Sequence, residues 1–219
     1  MKKFSAFSIL AFFAGITLLA SCTPEIKVKA NKDNSMDISF KTGFSEATSK
    51  SIKKLVGANE SDPLFSPADM VQLITEAGAV NVSAKMPTEN DVQANGTLKD
   101  VKNTAFNATG ILRQEAKNGK TVTTLSIGPD EIRSFYSLLD ANTQAYVDTM
   151  MIPCLIGENM NKTDYKLLLS MMYGPTFAEE LVEGNLNITL ESADGKKQRF
   201  TEKLGDLLTM NTPKTWTIE

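Results

Sequence analysis

An uncharged apolar run at the start of the chain limits which residues can belong to the folded body. The run covers residues 4–20, follows Met1-Lys2-Lys3 and ends in small residues. A positive start, a short apolar stretch and a small-residue end are typical of a cleavable export signal, and such a run is short for a permanent membrane span. We therefore predict that residues 1–21 are a signal peptide. Residues 22–219 form a single domain, because roughly 200 residues suffice for one core.

The end of this signal carries a more specific pattern, Leu19-Ala20-Ser21-Cys22. A branched aliphatic residue, two small residues and a cysteine resemble the lipobox of bacterial lipoproteins. The resemblance is confined to the start of the chain, and it implies cleavage before Cys22 and acylation of Cys22. It makes the membrane a partner through acylated Cys22, since several acyl chains suffice for stable anchoring. The alternative is an ordinary secretory signal with a chance cysteine.

The residue after the cysteine is relevant to the final location. Thr23 stands where an aspartate would oppose export to the outer membrane in the enterobacterial sorting pattern. By this resemblance we expect a protein anchored in the bacterial cell envelope, at the outer membrane. Whether it faces the periplasm or the outside is left open.

Composition excludes several classes of function. The chain has no histidine, so Ser-His-Asp and Cys-His nucleophiles and imidazole metal ligands are excluded. Lys+Arg number 23 against Asp+Glu 26, and removal of the signal takes Lys2 and Lys3 away. An acidic balance argues against nucleic acid as a partner, because nucleic-acid binding calls for a basic surface.

The second cysteine, Cys154, is predicted to be an inert core thiol. Acylation of Cys22 would leave it without a disulfide partner. Its neighbours in Met150-Met151-Ile152-Pro153-Cys154-Leu155-Ile156 are apolar, and apolar surroundings raise the pKa of a thiol.

Alternation of apolar and polar residues predicts strands in three parts of the body. Near the start, Lys32-Asp33-Asn34-Ser35 separates two alternating runs, which is typical of a β-hairpin. Asn118-Gly119 and Asp194-Gly195 are expected to turn two further hairpins. Strands are expected at residues 26–30, 36–40, 80–86, 96–101, 105–114, 112–116, 121–127, 186–190, a return through 200, and 215–218.

Helical spacing fills the segments between these strands. Ser66-Pro67-Ala68-Asp69 is a strong helix start, and Gly57 and Gly78 are expected to end helices. Helices are expected at residues 45–56, 66–78, 128–139, in a zone over 143–184 interrupted at prolines and glycines, and near 204–210. The helix at 128–139 is expected to turn Ile132, Phe135, Tyr136 and Leu139 to its inner face. Blocks of strands and helices in this order predict an α+β fold, a mainly antiparallel sheet packed against several helices.

Two fragments are similar to motifs of penicillin-binding proteins and related β-lactamases. Ser51-Ile52-Lys53-Lys54 fits S-x-x-K and Lys41-Thr42-Gly43 fits K-T-G, but their order is reversed. The adjacent pairs Glu179-Glu180 and Asp130-Glu131 diverge on a helix, so neither would act on one bond. No nucleotide-binding motif occurs. We predict no catalytic residues, no cofactor and no metal site.

A methionine-rich region leaves two interpretations open. Five of the ten methionines fall at 150, 151, 160, 171 and 172. They are expected to fill gaps in a helical hairpin packed on the sheet. Alternatively, flexible thioethers form an adaptable surface that accepts varied apolar ligands.

Together these patterns predict a lipid-anchored envelope protein that is not an enzyme. The expected function is a non-catalytic binding or structural module with other envelope proteins as possible partners. The alternative is a carrier or sensor of an apolar ligand such as a lipid. A filled layer between sheet and helices favours the module, and an apolar cavity of several hundred Å³ favours the carrier.

Overall fold

The computed structural model describes residues 24–56, 59, 61–117, 120–139 and 141–219. The predicted signal, Cys22, Gly57 and the turn Asn118-Gly119 lie outside the described residues. The described part of the chain has an α+β fold with two mostly antiparallel sheets, as predicted.

The strands form a six-stranded and a three-stranded sheet. The larger sheet has the order β3-β4-β2-β1-β7-β8, and the smaller has the order β5-β6-β9. All neighbours are antiparallel except β1 and β7. The bounds are β1 Glu25–Ala30, β2 Met36–Gly43, β3 Val80–Thr88, β4 Asp91–Leu98, β5 Leu112–Lys117, β6 Lys120–Ile127, β7 Asn185–Glu191, β8 Lys197–Lys203 and β9 Lys214–Ile218.

Some helices of the described residues contact the larger sheet, as α2 does at β3 and β4, whereas others contact the smaller sheet or other helices. A 3₁₀ turn at Val101–Asn103 precedes the third helix. The bounds are α1 Glu46–Val56, α2 Pro67–Glu76, α3 Ala105–Ala108, α4 Pro129–Tyr136, α5 Ala141–Thr149, α6 Pro153–Ile156, α7 Lys162–Tyr173, α8 Pro175–Glu183 and α9 Leu204–Leu208. Among the described residues, no helix is long and apolar enough to cross a membrane.

Alternation along the strands places one set of apolar side chains in a shared core. Ile26 lies opposite Phe40 in β2 and opposite Ile188 in β7, and Val28 lies opposite Ile38. Because side chains in a strand alternate between faces, this register puts every apolar member on the inner face and the lysines of β1 on the outer face. The predicted first hairpin is confirmed.

Two strand predictions in the middle of the chain were wrong. The segment 105–114 begins as a helix, because the Thr104 side chain accepts a hydrogen bond from the Asn107 amide and caps α3. The strand begins only at Leu112. The strand expected at 96–101 instead covers Asp91–Leu98, with a 3₁₀ turn from Val101.

Candidate ligand-binding site

An apolar cavity of about 360 Å³ lies between the inner face of the larger sheet and the elements that cover it. Its floor comes from β1, β2 and β4, one wall from α2, and the other walls from the smaller sheet and the segment from α4 to α6. The apolar lining residues are Ile26, Val28, Ile38, Phe40, Met70, Leu73, Ile74, Ala77, Val92, Ala105, Phe106, Ile111, Leu112, Leu125, Ile127, Ile132, Phe135, Tyr136, Leu138, Leu139, Val147, Ile152 and Leu155.

Few polar residues contact this cavity. They are Lys41, Thr42, Glu76 and Glu131. Thr42 is 5% exposed, and its hydroxyl oxygen has no hydrogen-bond partner among the described residues. The Glu131 carboxylate accepts a hydrogen bond from the Ser126 hydroxyl at 3.2 Å. A mostly apolar lining with a few polar groups is the usual character of a small-molecule site.

Helix α4 covers the cavity with a face that is only partly buried. The inner face predicted for this helix carries Ile132, Phe135 and Tyr136, and all three line the cavity. None of the residues of α4 is fully buried. Just beyond it, Leu138 also lines the cavity and is 58% exposed, so the cavity reaches the surface there. An amphipathic helix whose apolar face borders a cavity is suited to cover a ligand.

Polar contacts at the rim hold α4 in position. The Arg133 guanidinium donates to the carbonyl oxygens of Leu155 at 3.2 Å and Cys154 at 3.1 Å. The Tyr136 hydroxyl donates to the Asp148 carboxylate at 2.9 Å. Desolvation and this contact raise the pKa of Tyr136, so the hydroxyl stays protonated and remains a donor. Helix α4 is therefore held over the cavity by polar contacts at the rim.

Cys154 is a buried thiol, as the sequence predicted. It is 3% exposed, and burial raises the pKa of its thiol to about 12, although the nearby charge of Arg133 lowers it. A thiol that stays protonated is a poor nucleophile.

The methionine-rich region does not line this cavity. Met150 is buried, but Met171 and Met172 on α7 are 79% and 47% exposed, so filling of the core does not account for them. The residues from this region that line the cavity are Ile152 and Leu155. The prediction that these methionines fill a core was wrong for α7, and a pocket lined by them is not found among the described residues.

The residues of the apparent penicillin-binding motifs serve structural roles. The Ser51 hydroxyl donates to the Ala47 carbonyl one turn earlier in α1, at 3.1 Å. Lys41-Thr42-Gly43 ends β2. The carboxylates of Glu179 and Glu180 diverge as predicted. Glu179 pairs with Lys166, whereas Glu180 binds the start of α1.

Within the described ranges, no group of three or more candidate ligand residues could hold a metal ion. Comparisons with protein-family models, curated proteins and solved structures found no match.

Proposed function

We propose that this protein binds an apolar ligand of the acyl-chain class in the cavity beneath α4, without catalysis. The observation that carries the proposal is a cavity of about 360 Å³ with an almost wholly apolar lining. Ligand sites commonly span roughly 300–1,000 Å³. Each methylene group buried there contributes about 0.8 kcal/mol, so a chain of about ten groups would offset the usual cost of association.

The position of the cavity relative to the predicted anchor supports a ligand that comes from a membrane. Ile26 lines the cavity floor and follows Cys22 by only four positions in the chain. An anchor at Cys22 would hold the domain at a bilayer, where acyl chains are abundant. In this proposal the protein is an envelope lipoprotein at the outer membrane that carries or senses a lipid.

A second candidate function is the interaction module, and one surface favours it. On α7, Leu167 and Met171 lie four residues apart and are 61% and 79% exposed, beside the half-exposed Met172. Residues with this spacing share one helix face. Exposed apolar patches of this kind are typical of protein–protein contacts.

The two candidates separate in a binding titration with a fluorescent fatty acid on residues 23–219, checked by native mass spectrometry for retained ligand. Ile132→Trp adds volume to the half-buried inner face of α4 and should weaken probe binding at least tenfold. Ile156→Trp is the matched control, because Ile156 is 44% exposed and outside the cavity, and it should leave binding unchanged.

Other outcomes would favour the module. Absence of saturable binding to the unmodified domain would remove the carrier proposal. If Met171→Glu with Met172→Glu abolished association with an envelope protein while fatty-acid binding was absent, the interaction module would be the better account.

A further inference from the structure

The outer face of the six-stranded sheet is uncovered in the described part of the chain. The central strand β1 exposes Lys27 and Lys29 there, and Lys27 retains 57% of its side-chain exposure. The edge strands β3 and β8 expose Lys85 and Arg199 on the same face. This face lies opposite the cavity, and of the residues in its rows only Lys41, at the end of β2, also borders the cavity. The role of the face is therefore independent of the proposed function, and the test below leaves Lys41 unchanged.

Registry across the strands arranges this face in rows. One row runs Ser83, Asn95, Ser39, Lys27, Thr189 and Arg199, and it holds hydroxyls, an amide and two cations with no carboxylate. The row beside it runs Lys85, Gln93, Lys41, Glu25, Asn187 and Thr201. Since neighbouring strands lie about 4.8 Å apart, each row is about 24 Å long.

Charge on these rows differs in sign from that of the chain as a whole. With the next row, which adds Lys29, Asp37, Glu191 and Lys197, the three rows hold six cations and three carboxylates. The whole chain has a net charge of −3. The face is therefore a positive surface on an acidic protein.

Internal pairing leaves much of this positive charge uncompensated. Glu25 pairs with Lys27 at 3.0 Å, Glu191 pairs with Lys197 at 3.1 Å, and Asp37 accepts a hydrogen bond from Thr97. Four cations make no ion pair with any residue that the structure describes, and they are spread from one edge strand to the other: Lys85, Lys41, Lys29 and Arg199.

From this arrangement we infer that the outer sheet face, with its rows of hydroxyls, amides and unpaired cations, binds an anionic linear polysaccharide that lies across the strands. The cations complement the acidic groups of the chain, and the hydroxyl and amide side chains between them can bind sugar hydroxyls. A sheet of six strands twists by roughly 100° from edge to edge, which suits a flexible polymer better than a flat bilayer. The register places one apolar side chain in these three rows, Val80 opposite Thr97 on the edge strand β3, so the rows offer little apolar surface to enter a membrane.

The test measures binding of the full-length protein, purified in a non-ionic detergent, to dextran sulfate and to neutral dextran. We expect saturable, salt-sensitive binding to dextran sulfate alone, with affinity rising with chain length up to chains that span the sheet. Replacing Lys29, Lys85 and Arg199 together with glutamine should weaken binding about tenfold, since three exposed ion pairs are lost.

The control variant removes the same charge elsewhere. Lys54→Gln, Lys102→Gln and Lys117→Gln change exposed lysines outside this face, and dextran sulfate binding should stay within twofold of the unmodified protein. An equal loss in both triple variants would overturn the proposal in favour of a net-charge effect. Displacement of dextran sulfate by phosphatidylglycerol micelles of matched charge would overturn the proposal in favour of lipid headgroups. Absence of binding to dextran sulfate would overturn the proposal outright.

Discussion

Arg133 joins helix α4, which covers the cavity, to the end of α6, because its Nη2 donates to the carbonyl oxygen of Cys154 at 3.1 Å. Its Nε donates to the next carbonyl, that of Leu155, at 3.2 Å. Carbonyls in the last turn of a helix lack partners within the helix, so one guanidinium satisfies two of them at the end of α6. The position of α4 over the cavity therefore depends on a contact at its rim.

Replacement of Arg133 with methionine tests this contact, since methionine keeps an apolar stem and removes every donor. We expect amide hydrogen exchange in residues 129–139 to accelerate and a bound fatty-acid probe to dissociate several times faster. Global stability should fall by only about 1 kcal/mol, because both carbonyls regain water. Arg199→Met, on the far face of the sheet, is the control, and equal exchange in both variants would contradict this role.

Glu180 caps helix α1 from a different helix. It accepts hydrogen bonds from the Ser45 amide at 2.8 Å, the Ser45 hydroxyl at 2.5 Å and the Thr48 hydroxyl. A carboxylate at a helix start also interacts favourably with the helix dipole. Glu180→Gln should lower the free energy of unfolding by about 1–3 kcal/mol in urea denaturation.

The adjacent Glu179→Gln is a closely matched control for that change. Glu179 is 63% exposed and pairs with Lys166 at the surface, where an ion pair contributes little. Glu179→Gln should lower the free energy of unfolding by less than about 0.5 kcal/mol. Equal losses in the two variants would show that the Glu180 contacts do not stabilise α1.

Thr42 and Thr48 are both buried, but only Thr48 has a partner for its hydroxyl. Burial of a hydroxyl without a hydrogen bond is unfavourable, so Thr42→Val should leave stability unchanged or raise it by about 1 kcal/mol. Thr48→Val should lower stability by about 1–2 kcal/mol. Thermal unfolding of the two variants measures both effects, and a loss at Thr42 as large as that at Thr48 would mean that its hydroxyl is satisfied.

Periodicity was sufficient to predict most elements and the direction in which their apolar faces point. It identified Ile132, Phe135 and Tyr136 as the inner face of α4. It could not indicate the cavity, because the spacing of apolar residues reports which face turns inward and not whether that space is filled. The volume between layers depends on contacts among distant segments.

Two errors have the same kind of cause, a local or tertiary effect that overrides composition. A weak strand pattern predicted a strand through Phe106, but the Thr104 cap starts a helix there. Met171 and Met172 were expected in the core because they are apolar, but α7 turns Tyr165 and Leu169 inward and leaves these methionines exposed. Hydropathy alone cannot choose between two apolar faces of one helix.

The predicted anchor at Cys22 has a direct test. Because acylation precedes cleavage in the lipoprotein pathway that Leu19–Cys22 resembles, Cys22→Ala should accumulate as unprocessed precursor. Palmitate labelling should be lost in this variant and kept in Cys154→Ala, which retains the lipobox cysteine. Palmitate incorporation that persists without Cys22 would falsify the assignment.

The buried thiol of Cys154 gives a prediction about stability at high pH. Burial raises its pKa from 9.0 to about 12 in the folded domain. The unfolded chain therefore loses the thiol proton first, and the stability that depends on a protonated thiol is complete below pH 9 and is lost between pH 9 and pH 12.

Cys154→Ala lacks this ionisation, although its cavity should cost roughly 1–2 kcal/mol at neutral pH. Urea unfolding from pH 7 to pH 11 should show the stability of the unmodified domain falling relative to Cys154→Ala above pH 9, by up to about 1.4 kcal/mol per pH unit. Parallel curves would mean that the thiol titrates alike in both states, and rapid labelling of the native domain by a thiol reagent would agree with that outcome.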